Sequence, residues 1–437
     1  MIQMSRAKNL AAVAVCLSIS ILACAEPEGP PMSLDDIAES FVRLALAVGQ
    51  HDADYVDSYF GPEEWRTEVE EQASSLDQIL DEALALSRQI ESLPVPEDAM
   101  DRHRQQRLSR TVDSLVARVR LLNGERMTFD QESLALFDAQ APTHDAEYFQ
   151  SLLDRLDEAL PGSGSLIDRY STFKQDFVIP PERLDTVFQA AIDACRKKTK
   201  EFVELPKNES FVVEYVTDKS WSGYNWYQGD YQSLIQVNTD LPINIDRALD
   251  LACHEGYPGH HVYNLLLEKN LLRDRGWREF AVYPLFSPRS LIAEGTANYG
   301  IEVAFSYESR IGFETKVLFP MAGLDASRAA EYYKIKALAD RLSFAGNEAA
   351  RGYLDGEMDA SQAVEWLITY ALMPEPRAQQ RLAFIEQYRS YVINYNLGLD
   401  LVRHHIEQQG GNDDNPELRW QLFADLLSNP YLPSQLQ

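Results

Sequence analysis

Apolar residues recur at three- and four-residue steps along most of the chain, the spacing of one helical face. Leu108, Val112, Leu115, Val119 and Leu122 show it best, and Asn123-Gly124 ends that run. A first helix is predicted from Ser33, with Asp36 three residues on as its capping partner. Further helices are predicted over 70–92, 97–122, 152–160 and 181–202, with a break at Pro161–Gly164. The texture changes between Phe211 and Asn238. Phe211–Val216 is β-branched and aromatic, Ser220–Tyr231 is rich in Gly, Trp and Tyr, and Ser233–Val237 alternates apolar with polar. These are strand signals and predict a small sheet. Helical spacing returns at Ile245, with long candidates at 324–345, 361–371 and 377–408. The expected fold is mainly α, with a helical lobe over 33–204 and a second lobe over 205–437.

Residues 1–24 stand apart from this pattern. Arg6 and Lys8 precede an apolar stretch from Leu10 to Ala23, which is signal-like and too short to span a bilayer. Ile21-Leu22-Ala23-Cys24 is similar to a bacterial lipobox, so Cys24 is the expected lipidation site, with 25–32 as a linker. The expectation is an exported protein on the periplasmic side of a membrane, tethered only by its N-terminal lipid; the alternative is ordinary signal cleavage, which leaves it periplasmic or secreted. The net charge of −28 disfavours nucleic acid as a partner, because a surface this acidic repels phosphate. Of four cysteines, only Cys195 and Cys253 fall in the predicted fold, and two cannot form a disulfide framework in a chain this long. They are expected as buried, unpaired thiols.

The chemistry concentrates in His254-Glu255-Gly256-Tyr257-Pro258-Gly259-His260-His261, which holds three of the chain's eight histidines. In an H-E-x-x-H helix, two histidines one turn apart bind zinc and the glutamate is general base. Here the second histidine lies six or seven positions on. Residues six apart on a regular helix are rotated by roughly 240°, and seven apart are about 10 Å distant along the axis. Pro258 removes an amide and displaces the carbonyl of His254. A two-residue Pro-Gly bulge would bring His260 to the ligand position, leaving His261 as the alternative ligand or a supporting contact. Glu294, on an apolar small-residue helix, is the candidate third ligand; the competing reading pairs it with Arg289. Asn298, one turn later, is placed to hydrogen-bond a ligand histidine.

Taken together, H-E-x-x-P-G-H-H and Glu294-Gly295-x-Ala297-x-Tyr299 resemble the bacterial family called domain of unknown function 885. Gly229-Asp230-x-x-Ser233-x-Ile235-x-Val237-Asn238, Tyr395-Asn396-Leu397-Gly398 and the segment His51–Pro62 extend that resemblance. The family is similar in pattern to helical zinc peptidases such as carboxypeptidase Taq and the angiotensin-converting enzyme. The resemblance implies a gluzincin-like helical fold, Zn2+ bound by His254, His260 and Glu294, and Glu255 as base. It also implies Tyr395 as donor to the oxyanion; His404 and His405 are a second candidate pair. Ser233–Asn238 is expected beside the metal as an edge strand for an extended substrate. Trp221–Tyr231 is expected to line the groove or pack in the core. The function expected is a zinc peptidase acting on short peptides. The alternatives are another zinc amidase or esterase, or a non-catalytic zinc-binding envelope lipoprotein.

Overall fold

The computed structural model describes residues 32–436. The predicted signal segment, Cys24 and nearly all of the linker lie outside them. The described chain is mainly helical, with two small sheets, and none of its helices is long and apolar enough to cross a membrane.

The N-terminal helices form where their caps and faces dictate. Leu34–Gly49 starts in a capping box of Ser33 and Asp36, which satisfies two otherwise orphaned amides. The expected 70–92 helix is two, Glu63–Gln72 and Leu76–Ser92. Ala73 turns left-handed at φ +47°, and Ser75 with Gln78 caps the next segment. Ala99–Leu122 keeps its predicted stripe, with Leu108, Val112, Leu115 and Val119 all buried. The core falls into two main clusters. One joins residues 37–141 to Val282, Phe286, Leu291 and a stretch around Phe384–Ile393. The other runs from Phe149 to Leu436 and encloses the histidine segment.

The long helix expected over 377–408 is also two, Glu375–Tyr388 and Ile393–Gln408. Arg389 between them adopts φ +54°, and the buried Glu132 holds the break. Its carboxylate accepts from Arg389 Nε at 2.7 Å, Ser390 N at 3.1 Å and Ser390 Oγ at 2.7 Å. No local signal encodes a kink fixed by a residue more than 250 positions away.

Strands β1 (Val56–Tyr59) and β5 (Val282–Pro284) form an antiparallel pair. Strands β2 (Ser210–Val216), β3 (Gly223–Gly229) and β4 (Gln232–Asn238) form the second sheet in the order β2-β4-β3. β4 was expected at an edge and instead is central, because β2 pairs parallel along its other side. Of this sheet it is β3 whose residues line the cavity.

Cys195 and Cys253 do not stay as free thiols: they form a disulfide. The helix Leu184–Lys200 packs against the histidine segment and brings their Cα atoms to 5.6 Å, within bridging range. A separation of 58 residues carried no hint of that approach.

Candidate metal centre

The helix Ile245–Leu251 widens into a π turn over Ala252–Gly256, and a new helix begins at His260. Tyr257-Pro258-Gly259, between the two, forms the Pro-Gly bulge the histidine spacing requires. Gly259 N donates to the carbonyl of Cys253 at 2.9 Å, and a Cβ on Gly259 would lie 1.8 Å from the carbonyl oxygen of His254. Only glycine allows the backbone to double back so closely. The result sets the His254 and His260 rings 4.6 Å apart and nearly perpendicular.

His254, Glu255 and His260 form a group that could coordinate a metal ion. Glu294, from the buried helix Pro288–Ala304, faces the same point. Its Oε2 lies 3.2 Å from His254 Nε2 and 3.6 Å from His260 Nε2, yet it is buried without a hydrogen-bond partner. Donor atoms around a tetrahedral zinc with bonds of about 2.0–2.2 Å stand roughly 3.3–3.6 Å apart. Two imidazole nitrogens and a carboxylate oxygen at these separations suit an ion between them better than direct hydrogen bonds. Burial pushes the Glu294 carboxyl up, but His260 and His254 outweigh it and hold the group well below the carboxylate range. The pairing with Arg289 does not form. That guanidinium bonds Asn264 Oδ1 at 2.6 Å and lies over the ring of Tyr283.

The supporting contacts fix which atoms face the centre. Asn298 Nδ2 donates to the carbonyl of Tyr395 at 2.9 Å, so Asn298 Oδ1 must be the atom 3.0 Å from His254 Nδ1. His254 therefore carries its proton on Nδ1 and turns the lone pair of Nε2 inward. Tyr391 donates to Glu294 Oε1 at 2.8 Å, leaving Oε2 for the centre. Tyr391 escaped the sequence reading, although it sits one turn before Tyr395 on the same C-terminal segment.

His261 points the other way. It is fully buried, with Nδ1 2.8 Å from Ser233 Oγ and Nε2 3.2 Å from Glu209 Oε2. Tyr257 and Arg196 bond the same carboxylate. His261 thus anchors the bulge to the sheet, and both of its nitrogens are occupied.

Glu255 is buried beside the two histidines, and burial raises its carboxyl against the lowering pull of His254 and His260. A Cβ on Gly223 would come within 2.7 Å of Glu255 Oε1, so the bare backbone of β3 makes room for this carboxylate. Asn225 Nδ2 donates to the backbone oxygen of Glu255 at 2.7 Å. From β1, Asp57 accepts from Tyr224 Oη at 2.7 Å, and burial pushes its carboxyl up to about 6 despite that bond and the nearby His260.

His254, Glu255, His260, Glu294, Asn298, Tyr391 and Asp57 open onto one cavity of about 610 Å3, within the size range of small-molecule sites. Tyr395 lines it, packed against Tyr391 and Phe384. His404 and His405 do not line it; they bond Gln408 and Gln409 on the surface of their helix. Of the aromatic stretch, Trp221 and Tyr224 line the cavity, Tyr227 is buried against Glu268, and Trp226 is exposed on the sheet.

No family model and no curated protein matches the chain. Its fold is similar to a crystal structure of a Colwellia psychrerythraea protein provisionally described as a lipoprotein. The TM-score is 0.52 at 16% identity, and the alignment covers 83% of this chain and 66% of the other, just short of two thirds. At that identity the likeness concerns the fold alone, and a mainly helical chain with a group in its cavity that could hold a metal ion is what structure and comparison together establish.

Proposed function

We propose that the chain is a zinc-dependent hydrolase, a peptidase for short peptides, of the helical gluzincin-like type that the resemblance to domain of unknown function 885 implies. The observation that carries this is the convergence of His254 Nε2, His260 Nε2 and the unpartnered Glu294 Oε2, with Glu255 alongside. Two histidines, one ligating carboxylate and a separate free carboxylate form the donor set of a catalytic rather than a structural zinc site. When bound, zinc polarises a scissile carbonyl and lowers the pKa of water.

The remaining work belongs to the chain. Glu255, raised by burial, takes a proton from water and passes it to the leaving amine. Asn298 and Tyr391 hold the ligand side chains in register so that binding costs little reorganisation. Tyr395, on the cavity wall, donates to the oxyanion from its hydroxyl. The free edge of β3 near Ser222–Asn225 offers main-chain groups to an extended substrate. The Cys195–Cys253 disulfide agrees with export to an oxidising compartment, and a lipid anchor on Cys24 completes the proposed location.

Elemental analysis of the purified chain tests the metal, with about one zinc per chain expected from the single site and none in His254→Ala. Glu255→Gln tests the chemistry. Metal retained with hydrolysis of short peptides abolished is the expected result. Undiminished hydrolysis in Glu255→Gln would remove the assigned base, and a metal-free wild-type chain would remove the reading altogether.

A further inference from the structure

The helix Glu375–Tyr388 presents Arg377, Gln380, Arg381, Phe384 and Tyr388 to the cavity, a single stripe at three- and four-residue spacing. Other cationic groups on the cavity wall are matched. Arg310 meets Asp250 at 2.8 Å and Glu314 at 3.0 Å, and Lys336 meets Asp340 at 2.7 Å. Arg377 and Arg381 have no such partner: among the described residues, neither forms an ion pair with any carboxylate. Arg377 reaches only the amide oxygen of Gln380, at 2.5 Å. Arg381 Nε is buried without any hydrogen-bond partner. Arg247 adds a third guanidinium, whose nearest carboxylate, Asp250 at 3.7 Å, is already engaged by Arg310.

Such a grouping is expensive in an acidic protein. Burial, and then the neighbouring charges of Arg247 and Arg381, bring Arg377 down to about 10, far below an ordinary guanidinium. Burial lowers Arg381 as well, opposed by Tyr395. With 68 acidic residues against 40 basic ones, a compensating carboxylate was readily available, yet none is placed here. Unpaired guanidinium groups held in a cavity wall are the complement of an external carboxylate, which they can grip through two parallel bonds. Tyr395, Arg377 and Arg381 line the same cavity as His254, Glu255, His260 and Glu294. A chain reaching from the metal centre toward this wall would therefore present its end to the arginines.

From this we infer that Arg377 and Arg381, flanked by Arg247, bind the free C-terminal carboxylate of a short peptide substrate, making the protein an exopeptidase that measures from the C-terminus. The inference rests on the hydrolase reading for its catalytic half, but the recognition itself is a binding property.

The test is calorimetric titration of Glu255→Gln protein with an acetylated tripeptide as free acid and as C-terminal amide. The free acid is expected to bind roughly tenfold to a hundredfold more tightly, the worth of one charge-assisted hydrogen-bond pair. In Arg377→Gln/Arg381→Gln added to that background, the preference should vanish while amide binding stays. Equal binding of acid and amide, or a preference that survives the double substitution, overturns the assignment. So does recovery of tight binding by an amide carrying a C-terminal Glu side chain, which would mean that a side-chain carboxylate is read. Should the double variant fail to fold, the acid–amide comparison in the parent decides alone. Should wild-type protein hydrolyse no peptide at all, the hydrolase reading falls while the binding preference remains measurable.

Discussion

Gly295→Ala separates local propensity from packing, because the two predict opposite signs. In a helix interior the change favours Ala by roughly 0.5–1 kcal/mol. In this structure a Cβ on Gly295 would meet the Gly398 carbonyl oxygen at 2.4 Å and its Cα at 3.0 Å. Those are backbone atoms of Ile393–Gln408 and cannot rotate away. Reaching ordinary contact at 3.4 Å requires the two helices to part by about 1 Å. Overpacking of this kind costs about 1–3 kcal/mol, and the upper end applies where neither side can yield. The same movement stretches the 2.9 Å bond from Asn298 to the carbonyl of Tyr395 past hydrogen-bonding range. His254 then loses the contact that orients it, worth about tenfold to a hundredfold in metal affinity. Urea unfolding and zinc competition against a chromophoric chelator, the latter on folded protein, read the two effects separately. A stabilised Gly295→Ala would refute the packing argument. A destabilised protein with unchanged metal affinity would refute the coupling between helix contact and site.

Four further outcomes follow from named contacts. Asn298→Ala should weaken zinc about tenfold to a hundredfold with little loss of stability, again by chelator competition. Tyr391→Phe frees Glu294 Oε1 and should also weaken metal binding; unchanged affinity would show that this carboxylate needs no holding. Native protein should show no thiol reactive in denaturant from Cys195 or Cys253, and Cys195→Ser with Cys253→Ser should lose stability. For a 58-residue separation the chain-entropy estimate is about 4 kcal/mol. Glu209, raised by burial but lowered further by its bonds to His261, Tyr257 and Arg196, sits below its ordinary value of 4.5. A carboxyl depressed on folding stabilises above its unfolded pKa, and that contribution fades as pH falls below about 4.5. Glu209→Gln should flatten the acid limb of the stability curve, and an unaltered limb would sink the argument.

Helical class and the location of the candidate metal-binding group were legible without coordinates, for local reasons. Capping pairs such as Ser33–Asp36 and stripes such as Leu108–Val119 act within a few residues, so they can be read in order. The histidine segment was legible because Pro258 and Gly259 change backbone geometry where they stand, and the π turn and doubled-back loop answer that change. What escaped was set by distant partners. The break at Arg389 depends on Glu132, the disulfide on the approach of Leu184–Lys200, and the central place of β4 on β2 pairing along its second side. The choice between His260 and His261 was likewise tertiary, since Ser233 and Glu209 turn the second ring away. Two motif glycines, Gly295 and Gly398, lie about a hundred residues apart in sequence and nothing local explains them. They meet backbone to backbone, Gly295 next in sequence to Glu294, and only a structure can show that each is small because of the other.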